Sequence, residues 1–371
     1  MGKNMSNISL SVIIPCYNQI KFLDECLLSV YDLSKLIDLE IIVVDDGSKF
    51  DINQSMKSIL GDFDRNKIKF IRNSSNKGVS FSRNIGLTLA SGKYIYFLDS
   101  DDYLNPRNIK KALNIMEESD LNFLIGTYLI KSENTSNIKN TFDYFYFTKI
   151  KSIAWNVFDI ADNQHIMNIW GLLGAKVFNR NFLLTHDMKF DTGQAFFEDY
   201  LFFIKVMCKN QKIGYLLDPL YTYRVATEHQ VTSQNQFDYV KQIVDSSANT
   251  IKWCQSNQTR ELDLGICQLH ILGSLFSTMK RSTKKIYFVR YTRSKIKNEY
   301  FLNLRVSFAS IGKKNKVILL KNFIVFGYFK AFVSCFSALI KESPGLLVYT
   351  LSFLFKKIKT FLGIRRTTWE F

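Results

Sequence analysis

Short apolar runs alternate with stretches of helical spacing over the first 120 residues. Leu10 to Pro15 is β-branched and ends at proline, which predicts a strand. From Lys21 to Leu36, the residues Phe22, Leu23, Cys26, Leu27 and Val30 recur on one helical face. Glu40 to Val44 predicts a second strand whose unbroken apolar run suits burial on both faces of a parallel sheet. A helix over Ile52 to Leu60, a strand over Lys67 to Ile71, a helix over Val79 to Ala90 and a strand over Tyr94 to Leu98 follow. Pro106 then opens a helix that runs to Glu118. The alternation predicts a doubly wound, mostly parallel α/β sheet.

The pattern changes after that. Gly126 to Asn168 is mixed and aromatic-rich, with Asp143 to Phe147 a strand or a buried insert, and Ile169 to Leu184 is compact and apolar again. Glu198 to Met207 predicts a helix and Ile213 to Tyr223 a strand, and Tyr239 to Trp253 and Leu262 to Met279 read as helical. The expected organisation is a domain over 1–235 with halves 1–120 and 121–235, a helical subdomain over 236–300, and a tail over 301–371.

Charge separates that tail from the body. From Lys280 onward the chain has 20 Lys and Arg against 3 Asp and Glu; the residues before it have 29 against 30. The tail's apolar runs are interrupted by Lys330 and by Lys341 to Pro344, so none reaches the roughly 18 residues of a spanning helix. Apolar segments edged with Lys and Arg suit lying on an anionic membrane. The plainer alternative is helices packed on the core or on a second subunit, as in a homodimer. No groove-reading motif accompanies the charge, which argues against nucleic acid. Six cysteines without CxxC pairs, and no visible secretory run, fit the cytoplasmic face of a membrane.

In a doubly wound sheet, ligands bind beyond the carboxyl ends of the strands. Three predicted strands end there in polar clusters: Tyr17-Asn18, Asp45-Asp46 and Asp99-Ser100-Asp101-Asp102. Three carboxylates within four residues repel one another, and a hard divalent cation shared with substrate phosphates, Mn²⁺ or Mg²⁺, relieves that repulsion. A solvated turn or a helix cap is the plain alternative for each cluster.

Four segments now carry a resemblance: Ser11 to Asn18 (SVIIPCYN), Ile41 to Ser48 (IIVVDDGS), Asn76 to Gly86 (NKGVSFSRNIG) and Tyr96 to Asp102 (YFLDSDD). In this order and spacing they resemble the family 2 glycosyltransferases, inverting enzymes of the GT-A fold, closely over residues 9–120 and more loosely to about 230. The resemblance implies a nucleotide-sugar donor, most simply a UDP-sugar. Tyr17 would stack on the base, beside Pro15 and Asn18. Asp46 would accept from the uracil, with Asp45 shaping the loop. Arg83 would approach the diphosphate or sugar. Asp101 would hold the metal, Asp99 the ribose or the metal's waters, and Ser100 and Asp102 would support them.

Phe197-Glu198-Asp199 resembles the family's acidic motif before a helix. It implies Asp199 as the base that takes the acceptor hydroxyl's proton, with Glu198 beside it. Trp170, Arg224 and His229 are the further candidates for acceptor or diphosphate contacts. No Gln-x-x-Arg-Trp element of polymerising relatives is present. The reading is transfer of a single sugar to a hydroxyl of a glycan, lipid-linked at a membrane face, in surface-polysaccharide synthesis. Two competitors are a catalytically silent glycan-binding relative and a nucleotidyltransferase. The second lacks its Gly-rich, basic triphosphate loop, because the first loop reads Pro15-Cys16-Tyr17-Asn18-Gln19.

Overall fold

The computed structural model describes residues 8–19, 21–59, 61, 63–132, 138–140, 172–194, 196–209, 212–225, 237–257, 291–292 and 294–296. The chain divides into two compact units, Met1–Gln234 and Asn235–Phe371. Trp170, His229, the aromatic segment 143–147 and the basic tail lie outside the described residues.

The first unit opens with β1 (Leu10–Cys16), α1 (Leu23–Ser34), β2 (Leu39–Asp45), α2 (Ile52–Ile59), β3 (Ile68–Arg72), α3 (Val79–Leu89), β4 (Tyr94–Phe97), β5 (Tyr103–Leu104) and α4 (Pro106–Glu118). It continues with β6 (Phe123–Ser132), β7 (Ile138–Asn140), β8 (Lys176–Asn179), α5 (Arg180–Thr185), α6 (Glu198–Lys209) and β9 (Ile213–Val225). Each strand and helix expected in the first 120 residues is present, its ends displaced by at most two residues. The second unit's described helix is α7 (Phe237–Ser256), where the Tyr291 hydroxyl meets the Asp245 carboxylate at 3.0 Å.

Among the described residues the strands form one nine-stranded sheet in the order β3-β2-β1-β4-β8-β6-β9-β5, with β7 paired to β6. The four strands β3, β2, β1 and β4 are all parallel. β1 and β2 are buried at every position, as their apolar runs Val12 to Ile14 and Ile41 to Val44 require. α3 packs on β1 and β2 so closely that a Cβ on Gly86 would stand 2.3 Å from the Ile13 side chain.

β4 is where the sheet changes character, because its other edge pairs antiparallel with β8. β8 and β6 are antiparallel, β6 and β9 parallel with a register shift, and β5 closes the edge antiparallel to β9. Behind this junction lies a cluster of rings. Phe190 stacks on Phe202 with centroids 4.0 Å apart, and Phe97 meets Phe178, Phe190 and Phe202 edge-on. Phe97 stands two residues before Asp99, and Phe202 three after Asp199. One apolar core therefore anchors both acidic segments.

Glu40 braces the opposite end of the strands. It accepts from Ser11 Oγ at 2.6 Å and Ser91 N at 2.6 Å, and pairs with Lys69 at 2.7 Å. Burial would raise its proton affinity, but these donors leave it below the usual carboxylate range.

Candidate active site

The loops after β1 and β2 are joined by short hydrogen bonds. Asn18 N donates to Ser48 Oγ at 2.8 Å, and Lys49 N donates to Asn18 Oδ1 at 2.8 Å. Asn18 takes φ +53°, a left-handed conformation that its short polar side chain tolerates. Beside it Tyr17 is 46% exposed and free to offer a ring face. Pro15, by contrast, is inside β1 and buried.

Asp45 and Asp46 do different work. Asp45 is buried; it caps its own turn through Ser48 N at 2.9 Å, with Arg72 Nε 3.4 Å away. Asp46 accepts from Asn73 Nδ2 at 2.7 Å, Lys77 N at 2.9 Å and Gly78 N at 2.8 Å. One carboxylate thus holds the loop leading to α3 against the end of β2. Between them Gly47 has φ +76°, and a Cβ there would stand 2.8 Å from the Ser75 carbonyl carbon. Gly47→Ala is expected to destabilise the fold by about 2 kcal/mol, read from the shift of the denaturant midpoint.

The acidic loop after β4 is shaped from behind. Asp102 N donates to Asp99 O at 3.0 Å, which turns the Asp102 side chain inward. That carboxylate is 2% exposed and accepts from Arg224 N at 2.8 Å. Burial, and then the charges of Asp101 and Asp99, push its proton affinity well above the ordinary carboxylate range. Ser100 is buried as well. Asp99 and Asp101 keep partial access to solvent.

Arg224, at the end of β9, is equally enclosed. Its Nε donates to Asp101 O at 2.7 Å, its Nη2 pairs with Glu25, and its guanidinium lies over the rings of Phe22 and Tyr103. The structure therefore places Arg224 behind the acidic loop, as a brace on Asp101 and Asp102. The sequence offered Arg224 as a candidate for diphosphate or acceptor contacts; the structure shows it against Asp101, Asp102, Glu25, Phe22 and Tyr103.

Across the crevice, Arg83 links two parts of the site. This residue of α3 is 4% exposed. Its Nη2 donates to Asp99 Oδ1 at 2.8 Å and its Nη1 to Glu198 Oε1 at 3.0 Å. The carboxylates of Asp99, Glu198 and Asp199 overcome the effect of burial and hold the guanidinium charged. Asp99 and Glu198 come from segments 99 residues apart in the chain.

Glu198 and Asp199 open α6. Phe197 before them takes φ +58°, a strained conformation for an aromatic residue. Its carbonyl accepts from Gln194 Nε2 at 3.1 Å and Leu201 N at 2.8 Å, which holds the turn. Asp199 Oδ1 accepts from Tyr200 N at 2.7 Å. Burial, and next the charge of Glu198, push the Asp199 carboxyl up to about 8, against the pull of Arg83 and Lys176. Lys176, on β8, is fully buried; burial lowers its ammonium to about 7, opposed by Asp199.

Lys176 was not a candidate from the sequence. The signal for it was one cation inside the apolar run from Leu172 to Phe178. Glu25 and Asn73 carried no signal of their own, since their partners are distant in the chain.

Among the described residues no group of three or more His, Cys, Asp and Glu side chains could hold a metal by itself. The two accessible carboxylates are hard oxygen donors, and they fit an ion that completes its shell with substrate phosphates.

Residues 11–168 match the family described as Glycosyl transferase family 2. Glycosyltransferase GlyG of Streptococcus pneumoniae is 24% identical over 259 residues, covering 66% of this chain and 80% of GlyG. The poly(ribitol-phosphate) beta-N-acetylglucosaminyltransferase TarP of Staphylococcus aureus is 28% identical over 56% of this chain and 60% of TarP. The crystal structure of S. aureus TarS 1–349 superposes with a TM-score of 0.64 at 19% identity, covering 88% of this chain and 91% of that one. With its acidic strand ends gathered at one crevice of the sheet, the chain is a glycosyltransferase of GT-A fold whose residues 11–168 match family 2.

Proposed function

We propose that this glycosyltransferase moves one sugar from a UDP-sugar to a hydroxyl of a glycan acceptor, with inversion at the anomeric carbon. The observation that carries the reading is the Arg83 bridge. One buried cation joins Asp99, on the donor side of the crevice, to Glu198, next to the carboxylate best suited to be a base. Asp199 is held near neutral proton affinity, where a general base works most efficiently.

In this reading Tyr17 offers its ring to the base and Asp46 borders it, while Asp45 and Asn18 keep the loops in place. Asp99 and Asp101 would hold Mn²⁺ or Mg²⁺, which would supply positive charge for the departing nucleoside diphosphate. Asp199 takes the proton of the acceptor hydroxyl as that oxygen bonds to the anomeric carbon. The bond from that carbon to the diphosphate oxygen breaks, and UDP leaves with the electron pair. Single displacement from the opposite face inverts the centre.

The donor class is supported by the neighbour TarS, crystallised with UDP-GlcNAc, which superposes with a TM-score of 0.59. The acceptor is proposed to be a polymer or glycan at a membrane face, as TarP's poly(ribitol-phosphate) and the basic, apolar tail suggest. No described helix is long and apolar enough to cross a membrane.

Calorimetric titration tests the donor site. UDP and UDP-GlcNAc are expected to bind wild type with Mn²⁺ and to bind at least tenfold more weakly with EDTA. Asp101→Ala is expected to remove the metal dependence. Binding by wild type that ignores EDTA would overturn the metal reading, and no binding of any nucleotide by folded protein would overturn the donor reading.

A further inference from the structure

The segment from Phe190 to Glu198 leads into α6 and is fastened at both ends by consecutive residues of α3. At one end Glu198 Oε1 accepts from Arg83 Nη1 at 3.0 Å. At the other, the Asn84 side chain takes both backbone groups of Phe190. Asn84 Nδ2 donates to Phe190 O, and Phe190 N donates to Asn84 Oδ1, each at 2.9 Å. A side-chain amide offers a donor and an acceptor side by side, so Asn84 pairs with Phe190 much as a residue of a neighbouring antiparallel strand would. Phe190 is buried, and its backbone groups need such partners.

Three parts of the site meet at the Phe190 ring. It stacks on Phe202 of α6, three residues after Asp199, with centroids 4.0 Å apart and planes within 6°. It meets Phe97, two residues before Asp99, edge-on at 5.2 Å. The Arg83 guanidinium lies over the same ring, 5.4 Å from its centre. Between its two fastened ends the segment holds its own turns. Gly193 N donates to Asp191 Oδ1 at 2.9 Å, and Gln194 Nε2 donates to Phe197 O at 3.1 Å. What the amide fixes at Phe190 is therefore carried to the start of α6 through stacked rings and through the chain.

We propose that Asn84 is a positioning residue for the reaction, its amide holding Phe190 so that Glu198 and Asp199 stand at the crevice in register with Arg83. The inference rests on Asp199 being the base. Asn84 acts through Phe190 and α6, not on the reacting atoms.

Two variants separate position from fold. Asn84→Ala removes both hydrogen bonds. Asn84→Asp keeps the shape and the acceptor for Phe190 N, and sets a carboxylate oxygen against Phe190 O. Turnover is read as UDP release from UDP-GlcNAc with Mn²⁺. It is expected to fall about tenfold in Asn84→Ala, since misplacing a catalytic group by about 1 Å can cost about 10²-fold. UDP affinity should stay within about twofold of wild type, at full stoichiometry. For Asn84→Asp, the deficit relative to wild type at the same pH should shrink as pH falls, because the protonated carboxyl donates to Phe190 O again. The same ratio for Asn84→Ala should be flat with pH.

Turnover of Asn84→Ala within about twofold of wild type overturns the proposal. So does a fall that only follows the fraction of protein able to bind UDP, or a flat ratio for Asn84→Asp. Loss of the fold in both variants also overturns it, by assigning Asn84 to stability alone.

Asp199→Asn, measured in parallel, keeps the two readings distinct. If it retains turnover, the base assignment fails. If it loses turnover while the Asn84 variants match wild type, the base assignment stands and the positioning role does not. Adding Asn84→Ala to Asp199→Asn should cost less than about twofold more, since no base is left to misplace. A further loss of about tenfold would overturn the route through Asp199.

Discussion

Asp199→Asn is expected to lower turnover by about 10³-fold while UDP-sugar binding changes less than about twofold. The amide keeps the shape of the carboxylate and its contact with Tyr200 N, but it cannot take a proton. In wild type, kcat/KM should rise with pH and level off above about 8, where the Asp199 carboxyl is ionised. That limb should be absent from the residual activity of the variant.

The same substitution should change stability in the opposite direction. A carboxyl that binds its proton more tightly in the folded chain favours folding most when protonated. That contribution is full below the ordinary value of 3.8 and is lost as pH rises through about 8. The advantage of the Asn variant in melting temperature should therefore grow over this range and be largest at alkaline pH. Calorimetric scans at several pH values would show it, and a variant less stable than wild type at pH 9 would contradict it.

Arg83→Ala carries the second large effect. It leaves Glu198 partly buried without its partner and frees Asp99 from the crevice wall. Breaking a buried pair in this way costs about 3–5 kcal/mol; the solvent access of Asp99 argues for the lower end. The denaturant midpoint should fall with an unchanged slope, and turnover should fall further than the folded fraction does. Arg83→Lys should not restore either property. A single ammonium cannot span two carboxylates on opposite walls as the guanidinium fork does. Full activity in the Lys variant would count against the bridge.

The first 120 residues were legible because their physics is local. Strands buried on both faces read as unbroken apolar runs, and the three acidic or aromatic strand ends mark the crevice by topology alone. The mixed half was less so. β6 and β9 pair in parallel across a register shift, and β8 runs against both neighbours, none of which leaves a periodic mark on one strand. Roles within motifs were hidden for a related reason. Asp99, Asp101 and Asp102 are equivalent as letters, yet Asp102 N bonds back to Asp99 O and its carboxylate accepts from Arg224 N, 122 residues away, which together hold it inward. Arg224 was legible as a cation near the site, but its direction depended on Glu25, Phe22 and Tyr103. Lys176 interrupts an apolar run, and its relation to Asp199 exists only once β8 lies under α6.

The junction at β4 has a consequence for how such a molecule diversifies. Two residue pairs, Tyr94 with Asn179 and Ile95 with Phe178, join this strand to β8. Around it phenylalanine rings interlock, Tyr96 Oη donates to Gly174 O, Asn84 bonds the Phe190 backbone, and Arg83 reaches across to Glu198. The turn after α4, where Asp120 is left-handed, is a natural splice point between the halves. A descendant could inherit a new second half by recombination there and keep the crevice residues of the first. What the incoming segment must bring includes rings matching Phe97, a carbonyl for Tyr96, a strand edge for β5 and a carboxylate for Arg83.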